Sequence, residues 1–199
     1  MNKTKNLEDL YNKSSISEDC RNLDIAKKKD FVSDLGNGDP NSPLFFVGET
    51  PGKEEEKKGI PFQGLAGEFL NRALKSIGIK REKIWIGNVV RYRPTQNNYR
   101  KNRKPTKSEV KACLPILERE IEIIDPNIIV TLGTTAINAL MEDTLRLKEI
   151  SGKIFEYNNR ILFPTYHPAA AYRFPSIKNK FQKDFKKLEK LIHTEIGKI

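Results

Sequence analysis

The sequence predicts an α/β fold, a three-layer αβα sandwich around a mostly parallel central sheet, and two observations predict it. Short apolar runs alternate with longer segments whose apolar residues recur at three- and four-residue spacing, the pattern of parallel strands covered by helices on both faces. Two of the runs lead into polar turns: Leu44-Phe45-Phe46-Val47 into Gly48-Glu49-Thr50-Pro51-Gly52, and Ile161-Leu162-Phe163 into Thr165-Tyr166-His167-Pro168. Such junctions lie at the carboxyl edge of a sheet, where open α/β folds bind ligands. At 199 residues the chain, 1–199, reads as one domain with a sizeable core.

Each element has a local reason. Residues 1–30 are polar and expected to be helical in pieces. Asp39-Pro40-Asn41-Ser42-Pro43 is a turn that introduces a first strand near 44–48. Ala66, Phe69, Leu70, Ala73, Leu74 and Ile77 keep helical spacing, so 66–77 is a helix that Gly78 ends. Ile84-Trp85-Ile86 is a second strand leading to Asn88. Val110, Cys113, Leu114, Leu117, Ile121 and Ile124 mark a helix over 107–124, broken by Asp125-Pro126. Ile128–Leu132 is a third strand, and Gly133 begins a helix over 134–141. A hairpin pairs Lys153–Tyr157 with Arg160–Pro164 around Asn158-Asn159. Phe181, Phe185, Leu188 and Leu191 set one face of an amphipathic C-terminal helix over 176–197, with lysines on its wet face.

Composition narrows the function. Hydrophobic residues are 37% and charged residues 31%, as in a soluble globular protein. No apolar run reaches the length of about 18 residues that spans a membrane, and the N-terminus lacks the apolar core of a signal peptide. A cytoplasmic or nucleoid-associated protein is expected. Two cysteines, Cys20 and Cys113, suggest a reducing compartment without a disulfide framework. There is no P-loop and no dinucleotide fingerprint. The net charge of +10 and a pI near 9.5 favour a polyanionic partner, nucleic acid first; a genome that codes Lys and Asn freely explains the same excess. From Arg91 to Lys111 there are eight basic residues and one acid, Glu109, with Tyr92 and Tyr99 interleaved. A basic loop of this kind suits phosphates and stacked bases, through Arg91, Arg100, Lys101, Arg103 and Lys104.

The polar turns carry the chemistry. Gly48 and its neighbours form a backbone cradle that holds a carboxylate, Glu49, and an aromatic ring, Phe62. Five segments occur in order: Gly48-Glu49-Thr50-Pro51-Gly52; Gly59-Ile60-Pro61-Phe62-Gln63-Gly64-Leu65-Ala66-Gly67; Asn88-Val89-Val90-Arg91-Tyr92-Arg93-Pro94; Pro126-Asn127-Ile128-Ile129-Val130-Thr131-Leu132-Gly133; and His167-Pro168 with Arg173. Together they resemble the uracil-DNA glycosylases, closest to family four, the bacterial and archaeal iron–sulfur branch. The resemblance covers roughly residues 17–175.

It implies a DNA-repair glycosylase that hydrolyses the N-glycosidic bond of deoxyuridine, leaving an abasic site, with DNA, single- or double-stranded, as partner and a monomer as the working unit. Such an enzyme must extrude the base, hold its edge and stabilise charge on both fragments. The resemblance gives Phe62 the stacking face and Asn88 an amide that reads uracil against cytosine. It gives His167 a hydrogen bond to uracil O2 and Glu49 the sugar cation and its water. Gly48 lines the pocket, and Glu55 matches a position that crowds the thymine methyl. Arg173 grips a backbone phosphate.

Departures matter as much. Family four holds its cluster with four cysteines; Cys20 and Cys113 match two, and Ser17 and Tyr92 occupy the other positions. Two thiolates cannot hold a cluster that needs four, so no cofactor and no metal are expected. The segment between Tyr92 and Cys113 is basic but has no histidine, so the covalent DNA trapping of a related branch is not carried over. Ala171 stands where the superfamily commonly has a leucine wedge, and Tyr172 is the candidate substitute. Two alternatives remain open: a weak or inactive nucleic-acid-binding homologue, and a glycosylase for another deaminated base such as hypoxanthine.

Overall fold

In the computed structural model, which describes residues 2–12, 18–96 and 101–197, the strands in chain order are Leu44–Gly48 (β1), Trp85–Asn88 (β2), Thr95–Gln96 (β3), Lys101–Asn102 (β4), Ile128–Leu132 (β5), Phe155–Tyr157 (β6) and Arg160–Thr165 (β7). Five of them build one sheet in the order β2-β1-β5-β7-β6. The first four of that order run parallel, and the edge strand β6 is antiparallel to β7. β1, β2 and β5 are buried at every position, as parallel strands covered on both faces must be.

The helices are Lys3–Tyr11 (α1), Glu18–Arg21 (α2), Lys53–Lys58 (α3), Leu65–Ser76 (α4), Lys107–Ile124 (α5), Thr134–Met141 (α6), Leu147–Ile150 (α7), Pro168–Arg173 (α8) and Pro175–Glu195 (α9). The two-residue alternation of the strands decides which helices meet which face. Phe45, Val47 and Ile129 share a core with α1, α2, α5, α6 and α7. Leu44, Phe46, Ile128 and Val130 share another with α4, α8 and α9. The result is the expected αβα sandwich. Phe45, Phe46 and Phe163 lie almost wholly out of water, and each such ring stabilises the fold by about 1.5–3 kcal/mol. No helix of the described residues is long and apolar enough to cross a membrane.

Chain ends of the elements follow the expected stops. Asp125, in a left-handed conformation (φ 47°), ends α5. Asn158 and Asn159 both take positive φ (49° and 62°) and close the β6–β7 hairpin, the geometry of a two-residue turn that matches strand twist. Thr106 and Glu109 form a reciprocal capping box at the start of α5 (3.2 and 2.7 Å). Three helices were not expected. α3 is a run of charged residues without apolar periodicity, α7 is one turn, and α8 begins at Pro168, which serves as a first helical residue rather than as part of a turn. The basic segment expected as a loop contains a small antiparallel ribbon, β3–β4, with Thr95 opposite Asn102. Ser17, Tyr99 and Arg100 lie outside the described residues.

Candidate active site

Parallel pairing brings the carboxyl ends of four strands together. Gly48 lies beside Asn88 across β1 and β2, and Leu132 beside Thr165 across β5 and β7. Backbone bonds extend these pairings: Val90 N–H donates to Glu49 O (3.1 Å), and Gly133 N–H to Thr165 O (2.8 Å). A cavity of about 850 Å³ opens here, and Glu49, Glu55, Phe62, Asn88 and His167 all line it.

Gly48 is the hub. A Cβ there would stand 2.4 Å from Asn88 Oδ1 and 2.6 Å from Phe62 Cζ, so the amide and the ring meet only over a glycine. The Asn88 side chain is 2% exposed and lines the cavity. An amide so placed is a donor and an acceptor held ready for a ligand.

Phe62 adopts positive φ (56°), which a bulky residue takes only when its surroundings impose it. Three contacts impose it. Glu55 Oε1 accepts hydrogen bonds from Gln63 N–H (2.9 Å) and Gly64 N–H (3.0 Å). Arg81 donates to Pro61 O (3.1 Å). Gly67 packs so close that a Cβ would lie 1.8 Å from the Phe62 carbonyl oxygen. Glu55, expected against the substrate, is therefore also the brace of the turn that carries Phe62.

The Phe62 ring packs beside the His167 imidazole, with centroids 5.9 Å apart and planes 27° from parallel. His167 is the N-cap of α8, and its Nδ1 accepts the Ala169 N–H (3.1 Å). A backbone N–H only donates, so Nδ1 is bare and the ring's proton sits on Nε2. Burial without a compensating charge lowers the His167 pKa to about 4, so the ring is neutral at pH 7. Gly133 leaves room for it: a Cβ there would lie 3.2 Å from His167 Cβ.

The Glu49 carboxylate accepts a hydrogen bond from Thr135 Oγ1, in the first turn of α6. Thr135 had no signal in the sequence, because its partner lies 86 residues away. Tyr172 and Arg173 also line the cavity, together with Leu65 and Phe174. Leu65, Tyr172 and Phe174 are 60%, 52% and 55% exposed. Ala171 is buried in the core and is not among the residues that line the cavity.

The basic residues separate into different roles. Lys101 and Lys104 are exposed. Arg103 lines the cavity but is bound to the Glu109 carboxylate through both terminal nitrogens (2.8 and 2.6 Å). Arg91 is a correction. It is fully buried, ion-paired with Asp34 and Glu120, while Tyr11 and Trp85 (2.8 Å) also donate to Glu120. A phosphate outside the protein cannot reach it; Arg91 is a core cation that ties the segment after β2 to α1 and α5.

The donor set around the cysteines does not fit a four-thiolate cluster. Cys20 and Cys113 are both buried and hydrogen-bonded to each other, a contact that with burial pushes the Cys20 thiol up. Tyr92 lies beside them and packs edge-on against Phe31 (5.6 Å). The chain has two cysteines in all, and no group of three or more His, Cys, Asp or Glu is placed to hold a metal among the described residues.

The sequence profile of the Uracil DNA glycosylase superfamily matches residues 35–190. The chain is 40% identical to the Type-4 uracil-DNA glycosylase of Sulfurisphaera tokodaii, over 80% of this chain and 74% of that one. It is 36% identical to the Type-4 uracil-DNA glycosylase of Archaeoglobus fulgidus, covering 86% and 87% of the two chains. The corresponding enzyme of Saccharolobus solfataricus is 37% identical, over 94% and 89%.

Proposed function

We infer the activity from family membership: the chain belongs to the uracil-DNA glycosylase superfamily, and it is a DNA-repair hydrolase that removes uracil from DNA. The bond that breaks joins sugar C1′ to uracil N1. Its electron pair leaves with the base, giving a uracil anion and an oxocarbenium-like sugar. A water oxygen then bonds to C1′ and the water releases a proton, leaving an abasic deoxyribose and, once the anion is protonated, free uracil.

The residue roles are our proposal. Asn88 holds the uracil edge with its amide, and Phe62 supplies an apolar face beside it. His167 donates from Nε2 to uracil O2 as charge builds there; a neutral donor preset by its own backbone bond needs no reorganisation during the reaction. That Nδ1–Ala169 hydrogen bond is the observation that carries the reading, because it puts the proton on the nitrogen that is left for a ligand. Glu49, oriented by Thr135, opposes the sugar cation and orients the water. Glu55 braces the Phe62 turn and narrows the pocket where thymine would carry its methyl. Lys101, Lys104 and Arg173 hold phosphates, with Arg103 beside them and Arg100 proposed on sequence alone.

Three further readings belong with this one. The exposed Tyr172 and Phe174 stack on bases next to the extruded nucleotide in place of an aliphatic wedge, which favours single-stranded over duplex substrate. The protein works as a monomer in the cytoplasm or on the nucleoid. It works without an iron–sulfur cluster, since it lacks the ligands for one. Purified protein given uracil-containing, hypoxanthine-containing and undamaged oligonucleotides, single- and double-stranded, and then alkali to cut abasic sites, tests the reading. Cleavage confined to uracil strands is expected; cleavage at hypoxanthine alone, or none, would overturn it.

A further inference from the structure

A second groove leaves the mouth of the active site and runs between α4 and α9, with a volume of about 850 Å³. Tyr172 lines both this groove and the catalytic cavity, so the two meet at its side chain. At its head Phe69 meets Tyr172 edge-on, with centroids 6.4 Å apart. The Arg72 guanidinium lies over the Phe69 ring, 5.7 Å from its centre. Farther along, Lys178, Lys183 and Lys186 of α9 line the groove with exposed side chains. Lys178 and Lys186 are roughly 12 Å apart along the helix axis at about 1.5 Å per residue. That length spans two or more phosphates of a nucleic-acid strand. Glu189 is the one acid lining the groove, at its far end.

An amphipathic helix keeps lysines outside merely to stay wet, and such lysines need no partner. Here, however, Arg72 of α4 faces the lysines of α9 across a concave floor that also carries aromatic rings, and the floor meets the cavity at Tyr172. Rings beside a basic track are the makings of a single-strand channel, in which bases stack and phosphates are followed by charge.

We propose that the α4–α9 groove binds the single-stranded DNA arm on one side of the extruded nucleotide. The proposal rests on the glycosylase reading for the source of the strand, and adds to it a surface that lengthens the footprint beyond the base pocket. The arm enters past Tyr172, stacks near Phe69 and lays its phosphates along Arg72, Lys178, Lys183 and Lys186.

The test uses uracil-free oligothymidylates of about 5 and about 16 nucleotides, the range of single-strand site sizes, with binding followed by fluorescence anisotropy across a salt series. Wild type should bind the longer strand at least tenfold more tightly. Lys183→Glu/Lys186→Glu should lose most of that gain, and its slope of log affinity against log salt on the long strand should fall by about 0.7 per lost phosphate contact. Lys5→Glu/Lys28→Glu, an equal charge change on the other side of the sandwich, should keep the gain. Equal losses in both double variants, or none in either, would overturn the proposal. So would an acidic polypeptide (polyglutamate) that displaces the long strand from wild type but not from Lys5→Glu/Lys28→Glu. Since the probe contains no uracil, a wild type that excised nothing would count against the glycosylase reading and leave this measurement intact.

Discussion

Thr135 Oγ1 donates a hydrogen bond to the Glu49 carboxylate. The contact exists because β1 and β5 are parallel neighbours, so the residue after β1 and the helix after β5 emerge side by side. A hydrogen bond to a charged group contributes about 1.5–3 kcal/mol, and here it also selects one orientation of the carboxylate. Thr135→Val removes the donor at nearly constant volume. Uracil excision under single-turnover conditions should slow about tenfold, as a loss of ~1.4 kcal/mol predicts, with DNA affinity unchanged, and Thr135→Ser should restore it. Equal rates for Thr135→Val and wild type would mean that the aim of Glu49 does not matter.

His167 is the residue on which the leaving group depends. His167→Ala should raise the barrier by about 2.7–4 kcal/mol, the scale for losing one preorganised donor. Affinity for uracil-containing DNA should change little, because the contact strengthens only as the bond breaks.

Its lowered pKa gives a separate, signed expectation. The folded protein holds the ring neutral until about pH 4, whereas the unfolded chain protonates near the ordinary value of about 6.5. Between those values the unfolded chain binds more protons, so stability falls as pH falls through that window and levels off below it. Melting temperatures of wild type and His167→Gln between pH 7 and pH 4 should diverge in slope, wild type falling more steeply. Excision should show no break near pH 6.5 that is due to this ring.

Gly48→Ala should abolish excision while leaving the protein folded. The added methyl would enter the space shared by Asn88 Oδ1 and the Phe62 ring, both of which are ends of side chains. They can move aside, at the expense of the pocket that they define. Circular dichroism and melting close to wild type, with no abasic product, is the expected pair of results. A variant that still excises uracil at the wild-type rate would show that the pocket lies elsewhere.

What was legible in the sequence was what is local. Asp125-Pro126 ends a helix and Asn158-Asn159 turns a hairpin through their own backbone preferences, and both occur where expected. His167 and Asn88 drew notice because each stands at the end of a strand, and Phe62 because it lies in a Gly- and Pro-bounded turn, between α3 and α4; all three line the one cavity. The braces were not. Glu55 acts through a loop eight and nine residues on, and Thr135 through a different strand. Arg91 was misread for the same reason. A basic run records charge along the chain, while the burial of one member is decided by Asp34 and Glu120, 57 and 29 residues away. α3 escaped notice because a helix of Lys and Glu has no apolar period to detect.

The cysteine pair should prove structural. Cys113→Ser should leave excision near the wild-type rate and the protein without iron before or after anaerobic reconstitution. Stoichiometric iron in the wild type, bleached by chelators together with a fall in melting temperature, would show that ligands other than these two thiols complete a cluster.

Arg91 separates a core cation from a DNA contact most sharply. It is fully buried between Asp34 and Glu120. Removing one partner of a buried ion pair leaves uncompensated charge out of water, which costs about 3–5 kcal/mol. Arg91→Met keeps most of the volume, so the loss reports charge rather than a cavity. Chemical denaturation should show destabilisation of that size. The portion that remains folded should bind DNA with the wild-type salt slope, since no phosphate contact has been lost. Lys104→Ala should do the reverse, leaving stability alone and lowering the slope by about 0.9 on duplex DNA or about 0.7 on a single strand. An Arg91→Met protein of wild-type stability and a reduced salt slope would return Arg91 to the DNA interface.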